Sequence, residues 1–303
     1  MLKISVIFTG GTIASSEEND YISINSNEKK YRIIDLFKEN FPEISCDTVF
    51  EFCEPYTILS ENLNGAHINA LISCVRENLK NDCDGIIVTH GTDTLQYSAA
   101  ALGLAINDPK APIILVSSNY ILDDKRSNGL NNFANAVKYI RKKKESGVFV
   151  SYDNDILNSL CLLPHMTFSD RLYATNNVIS KSSVTEINES EISYDTVTLS
   201  DISPVLYLKA VPGQFYPSPD NPDIKAFLLE TYHSGTLCTS SRQLNDFCEN
   251  AYKLNKPVYV VGVEDRIQYE STSIYEKLHL KVLKNESPVT AYMKLWFLYS
   301  KGA

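Results

Sequence analysis

The chain lacks any run of eighteen apolar residues, and its amino terminus, "MLKISVIFTGG", has one lysine and an apolar stretch too short for a secretory leader. A soluble, cytoplasmic protein is expected. Its seven cysteines make an odd count and none falls in a C-x-x-C pair, so reduced, mostly buried thiols fit better than a disulfide framework. Basic runs are absent apart from Arg141–Lys144 at the end of a predicted helix, where cations favour the last turn, and the net charge is −9. Nucleic acid and membranes are therefore not expected as partners. There is no G-x-G-x-x-G fingerprint and no P-loop, and His67, His233 and His279 share no metal-ligand spacing. No cofactor and no metal is expected.

What is present is a chain of 303 residues, 44% apolar, enough for more than one hydrophobic core. Short apolar runs at Ile4–Phe8, Thr48–Phe52, Gly85–Val88, Ile113–Val116 and Val148–Ser151 read as buried strands. Between them Ile33–Lys38, His67–Leu79, Leu95–Ile106 and Phe133–Lys142 carry apolar residues at helical spacing. The alternation predicts an α/β fold, with a larger N-terminal parallel sheet covered by helices on both faces. From about residue 176 the composition turns to Ser, Thr, Asn and Glu, which reads as a linker. Beyond it, Val205–Leu208, Ala226–Leu229 and Pro257–Val261 read as strands, and Arg242–Leu254 and Val289–Leu298 as helices. The expected domains are 1–180, a linker over 181–200, and a smaller C-terminal α/β domain over 201–303.

Two strand ends look alike. "VIFTGGTIA" places Thr9, Gly10, Gly11 and Thr12 after the first strand, and "GIIVTHGTDTLQ" places Thr89, His90, Gly91, Thr92, Asp93 and Thr94 after the third. In an open parallel sheet the carboxyl ends of the strands face a crevice. Glycines there allow a tight turn and close approach of backbone to ligand, and their N–H groups suit an anion or a developing oxyanion. A hydroxyl becomes a nucleophile only with a base or proton relay at hand, and Asp93 beside Thr92 is suited to that role. The same residues also read as structure: Thr9 and Thr12 as turn residues, and Thr92-Asp93-Thr94 as a helix cap.

"TGGTIA" at Thr9–Ala14 and "HGTDT" at His90–Thr94 resemble the two signatures of the bacterial-type L-asparaginases. The similarity extends to "YTILSENL" at Tyr56–Leu63, like that family's substrate-binding loop, and "SPVTAYMKLWFL" at Ser287–Leu298, like its carboxyl-terminal helix. The resemblance implies that Thr12 is the nucleophile attacking a side-chain amide and that Thr92 and Asp93 form a second hydroxyl and carboxylate pair. It implies that Tyr21 belongs to a flap closing on the substrate, with "SSEENDY" at Ser15–Tyr21 polar enough for that task. Ser60 and Glu61 would bind the α-carboxylate and α-ammonium groups. Main-chain N–H groups near Thr12, Thr92 and Ser118, with Gly11 and Gly91 shaping the turns, would hold the oxyanion. Homodimers or homotetramers are implied as well.

The sequence also departs from the family pattern. The lysine that usually completes the Thr-Asp pair is missing from Asp153–Asn177, where Pro164 falls at about its position and His165 is adjacent. Glu61 stands where glutamine is common, which would strengthen ammonium binding, and Asn128 where aspartate is common. Tyr269 and Glu270 lie in a region from which the family lends a carboxylate to a neighbouring subunit. The reading is an amidohydrolase acting on asparagine or a related amino-acid amide. Its rivals are an amino-acid-binding sensor, motivated by Pro164, and an amidase for glutamine, a D-amide or an amidated tRNA.

Overall fold

The computed structural model describes residues 1–18, 21–24, 31–143, 145–175, 193–265 and 269–301. The chain forms two compact units, Met1–Ala174 and Thr175–Ala303. Most of the expected linker, 181–192, lies outside the described residues.

In the first unit the strands are β1 (Leu2–Phe8), β2 (Ser15–Glu18), β3 (Tyr21–Ile24), β4 (Thr48–Cys53), β5 (Gly85–Thr89), β6 (Ile113–Val116), β7 (Val148–Tyr152) and β8 (Asp155–Asn158). The helices are α1 (Arg32–Asn40), α2 (Pro42–Ser45), α3 (Gly65–Lys80), α4 (Leu95–Ala105) and α5 (Gly129–Arg141). Six strands form one sheet in the order β4-β1-β5-β6-β7-β8, parallel except for the last pair. Continuous apolar runs become strands buried on both faces: every residue of β5 and β6 is buried. On one face α1 and α5 pack through Phe37 and Phe133, whose rings meet edge to face at 5.4 Å. Helix α4 is apolar all round, and accordingly all of its residues but Tyr97 are buried. Helix α3 starts where the Asn64 side chain accepts the His67 N–H at 3.0 Å.

The strand order positions the site. From β1 the chain crosses to β4 on one side, then returns past β1 to β5 on the other. The two crossovers part between β1 and β5, and a crevice opens at the carboxyl ends of strands where connections diverge.

In the second unit β9 (Val205–Lys209), β10 (Ala226–Glu230), β11 (Val258–Val263) and β12 (Leu280–Lys284) form a parallel sheet in the order β12-β11-β10-β9. Alternation sorts β10 between two cores. Phe227 and Leu229 face the core of α6 (Arg242–Lys253), while Ala226 and Leu228 face that of α7 (Pro288–Ser300). Ser287 caps α7 by accepting the Val289 N–H, and Pro288 occupies its first position, where a missing N–H costs nothing. Within α7 the Lys294 ammonium is paired with Glu286, both fully buried. Among the described residues no helix is long and apolar enough to cross a membrane.

Candidate active site

The backbone of the first strand does not stop pairing at Phe8. Thr9 N–H donates to the Thr89 carbonyl at 3.3 Å and its hydroxyl donates to the same oxygen at 2.8 Å, so the buried Thr9 side chain is a structural tie between the β1 and β5 ends. Gly10 then bridges to Ile58, with Ile58 N–H donating to Thr9 O at 3.1 Å and Gly11 N–H to Ile58 O at 3.0 Å. Both glycines have positive φ, +97° and +77°. A β-carbon on Gly10 would lie 2.4 Å from the Ile58 carbonyl oxygen, and one on Gly11 would lie 2.3 Å from Gly91 Cα and N.

Gly91 is in turn against Ser60, whose side chain would meet a β-carbon there at 2.5 Å. Three segments that follow β1, β4 and β5 thus converge on one point. Thr12 and Thr92 each come directly after a glycine of the contacting pair, and Glu61 directly after Ser60. Thr12 is half-buried at the start of the 3-10 turn Thr12–Ala14, which Ser15 closes by donating to Gly11 O at 2.8 Å. Thr92 is half-buried, Asp93 and Glu61 are exposed, and Ser60 is buried.

The capping role open to the second cluster is only partly taken up. Thr94 stands at the N-cap of α4, but its hydroxyl donates to the Ser60 carbonyl at 2.9 Å instead of capping the helix. It ties the two loops together. Ser60 caps no helix either; it opens the 3-10 turn Ser60–Asn62 ahead of Asn64. His90 is buried behind the loop. Its Nδ1 donates to Gly91 O at 2.9 Å and its Nε2 accepts from Ser98 Oγ at 2.8 Å, an arrangement that suits the neutral ring. Burial pulls its pKa down to about 4 from the ordinary 6.5, against a smaller upward pull from the Gly91 carbonyl.

Thr92 and Asp93 line a cavity of about 590 Å³ together with Asn119 and Tyr120 and with a wall formed by residues 165–170. That wall is the stretch beside Pro164, and its described lining residues include no lysine or arginine; His165 supplies the one imidazole. His165 Nε2 donates to Ser169 O at 3.2 Å, which leaves Nδ1 as the proton-accepting nitrogen of the neutral ring. The Arg126 guanidinium stacks 4.1 Å over the ring of the lining Tyr120, but its charge is matched by Asp124 at 2.7 Å.

Nothing in the local sequence singles out Asn119, yet it organises this wall. Its Nδ2 donates to Asp170 O at 3.0 Å, its Oδ1 accepts from the Tyr152 hydroxyl, and its N–H donates to Asn128 Oδ1 at 3.0 Å. Asn128 Nδ2 continues to Asp153 Oδ1 at 3.0 Å and so braces the loop. Ser118 is fully buried, with its hydroxyl donating to Tyr120 O at 2.5 Å and lying 2.8 Å from Ser127 Oγ; its neighbour Asn119 is the residue at the cavity. Tyr21 begins the second strand of the β2-β3 hairpin, opposite Glu18, with its ring exposed. Tyr269 and Glu270 belong to the second unit, at the exposed start of the 3-10 turn Glu270–Ile274.

The family model for the N-terminal domain of asparaginases matches residues 3–189. The chain belongs to the asparaginase family. One of the subunits of the glutamyl-tRNA(Gln) amidotransferase of Methanococcus maripaludis is 29% identical over 232 residues, 75% of this chain and 50% of that protein. A probable periplasmic L-asparaginase of Haemophilus influenzae is 29% identical over 195 residues, 63% of this chain and 54% of the relative. The chain spans about half the length of these curated relatives. The solved structure of a probable cytoplasmic L-asparaginase from Campylobacter jejuni, 20% identical, superposes with a TM-score of 0.72 over 99% of this chain and 96% of the other. L-asparaginase I from Vibrio cholerae, 18% identical, superposes at 0.74 over 100% and 94%. The asparaginase-family fold, with its larger N-terminal and smaller C-terminal α/β parts, therefore accounts for the whole chain.

Proposed function

We propose that this protein is an amide hydrolase that releases ammonia from L-asparagine or a closely related amino-acid amide through a threonine acyl-enzyme. The observation that supports the reading is the close approach of Gly11 to Gly91 and of Gly91 to Ser60, each glycine being followed by a threonine, at the parting of the crossovers. Thr12 Oγ adds to the amide carbon while the carbonyl electron pair moves onto oxygen, stabilised by main-chain N–H groups of the glycine turns. The Thr12 proton passes through the Thr92–Asp93 pair to the amide nitrogen, the C–N bond breaks and ammonia leaves. Water then adds to the ester, returns the Thr12 hydroxyl and frees the acid. Ser60 and Glu61 hold the substrate's α-carboxylate and α-ammonium, the latter by charge-assisted hydrogen bonds. Tyr21, on its hairpin, closes over the bound amide. The working form is a cytoplasmic homodimer or homotetramer, and the reaction needs no cofactor.

Ammonia release from asparagine, glutamine and their D-isomers tests this directly. Thr12→Ala should lower the rate on the preferred amide by at least ~10³-fold; equal rates for the variant and the parent would remove the nucleophile and with it the reading. A second reading, an amino-acid sensor, is motivated by the absence of lysine and arginine from the described wall of the cavity. Under it, aspartate raises the melting temperature while no amide turns over. A third, in which the substrate is an amidated tRNA, takes its support from the similarity to an amidotransferase subunit; the acidic charge of the chain argues against it unless a partner supplies basic surface.

A further inference from the structure

We propose that Cys53 and Cys74 are an oxidative modification site, a dithiol that a hydroperoxide closes to an intrachain disulfide between β4 and α3. Their sulfur atoms lie 2.6 Å apart, within about 0.6 Å of the ~2.05 Å of a disulfide bond, while both residues are free thiols. Nothing in the local sequence announces the pair, because 21 positions separate them and no C-x-x-C spacing is involved. The fold creates it. Cys53 ends the edge strand β4, in register with Ile7 of β1, and Cys74 lies on α3, where Asn78 Nδ2 donates to its carbonyl at 2.8 Å. Both backbones are therefore anchored in regular structure on either side of the link.

The chemistry is asymmetric. Cys53 is half-buried and Cys74 buried. Burial, helped by the Cys53 contact, pushes the Cys74 thiol up to about 12, which keeps it protonated and makes Cys53 the attacking group. Cys53 thiolate displaces hydroxide from the hydroperoxide, its sulfur losing two electrons to the O–O bond and becoming a sulfenic acid. The Cys74 sulfur then bonds to Cys53, and its proton leaves with the departing hydroxide as water. The balance is two thiols and one hydrogen peroxide giving one disulfide and two waters.

The link would close a loop that contains Ile58, which is hydrogen-bonded to Thr9 and Gly11, and Ser60, which touches Gly91. Oxidation therefore restrains the segment that completes the candidate site from its third side, and this holds whatever that site acts on.

The test uses the full chain, treated with hydrogen peroxide in modest excess and then denatured and alkylated. Two of the seven thiols should become unreactive, intact mass should fall by two hydrogens, and peptide mapping should join Cys53 to Cys74. Dithiothreitol should reverse all three, and the oxidised form should melt at a higher temperature. Cys53→Ser and Cys74→Ser should each abolish the link. Cys83→Ser should leave it intact, although Cys83 Sγ reaches the Asn78 carbonyl at 3.6 Å and is the third thiol of the neighbourhood. Full alkylation of Cys53 and Cys74 after peroxide, or a link running through Cys83, would overturn the proposal; because no amide is involved, either result leaves the hydrolase reading where it was.

Discussion

Gly11 and Gly91, eighty positions apart, touch backbone to backbone: a β-carbon on Gly11 would stand 2.3 Å from both Cα and N of Gly91. Each glycine precedes a threonine, so the approach of two bare backbones joins the segments that carry Thr12 and Thr92.

Gly11→Ala should therefore cost both fold and site. The clash is with main chain that has no rotamer to change, and φ is +77°. Overpacking and backbone strain together predict a loss of about 2–4 kcal/mol in urea unfolding, with ligand binding gone. Gly91→Ala meets both Cβ and Oγ of Ser60 at 2.5 Å, and although the β-carbon cannot turn aside, no positive φ adds strain there, so it should cost less stability than Gly11→Ala while displacing Ser60 and weakening substrate binding.

His90 predicts a pH signature. Its folded pKa of about 4 lies below the ordinary 6.5, so between those values the unfolded chain binds the proton that the folded chain refuses. Its contribution is complete above 6.5 and is lost as pH falls toward 4, an amount of about 3 kcal/mol. Urea midpoints measured from pH 7 to pH 4 should fall accordingly, and His90→Gln should flatten that part of the slope.

Lys294 and Glu286 form a buried pair at the heart of the second unit. Lys294→Met should destabilise by about 3–5 kcal/mol, since it strands a carboxylate away from water. Adding Glu286→Leu should recover most of the loss, which thermal unfolding of the single and double variants will reveal.

Asn119→Ala should loosen the cavity wall without touching Thr12. It removes bonds to Asp170 and Tyr152, each worth about 0.5–1.5 kcal/mol. Steady-state kinetics should show KM rising more than kcat falls, as expected when a binding wall and not the reacting groups is disturbed.

The central strands of the main sheet are legible in the sequence because they are buried on both faces, which writes them as unbroken apolar runs such as Ile4–Phe8 and Ile113–Val116; Thr48–Phe52, expected to be buried as well, is instead the edge strand β4, with no buried residue and with Val49 and Phe52 exposed. The helices between them show by their period, to within a few residues at the ends. The β2-β3 hairpin does not show, since "SSEE" and "YISI" are short and carry no apolar run. Nor do β8 and β12, where "DILN" and "LKVLK" are too short or too charged to stand out. At the site, the paired glycines and threonines announce themselves through local composition. Asn119 and the Cys53–Cys74 contact cannot, because what distinguishes them is the company that the fold assigns: a tyrosine 33 positions away, a thiol 21 positions away.

The strand order of the first unit has one more consequence. The segments that follow β1, β4 and β5 are tied to one another and to the strand ends, through Ile58 with Thr9 and Gly11 and through Thr94 with the Ser60 carbonyl. A substitution in residues 58–61 therefore reaches the strand ends as well as the loop that carries it, so chemical preference and folding are altered together there.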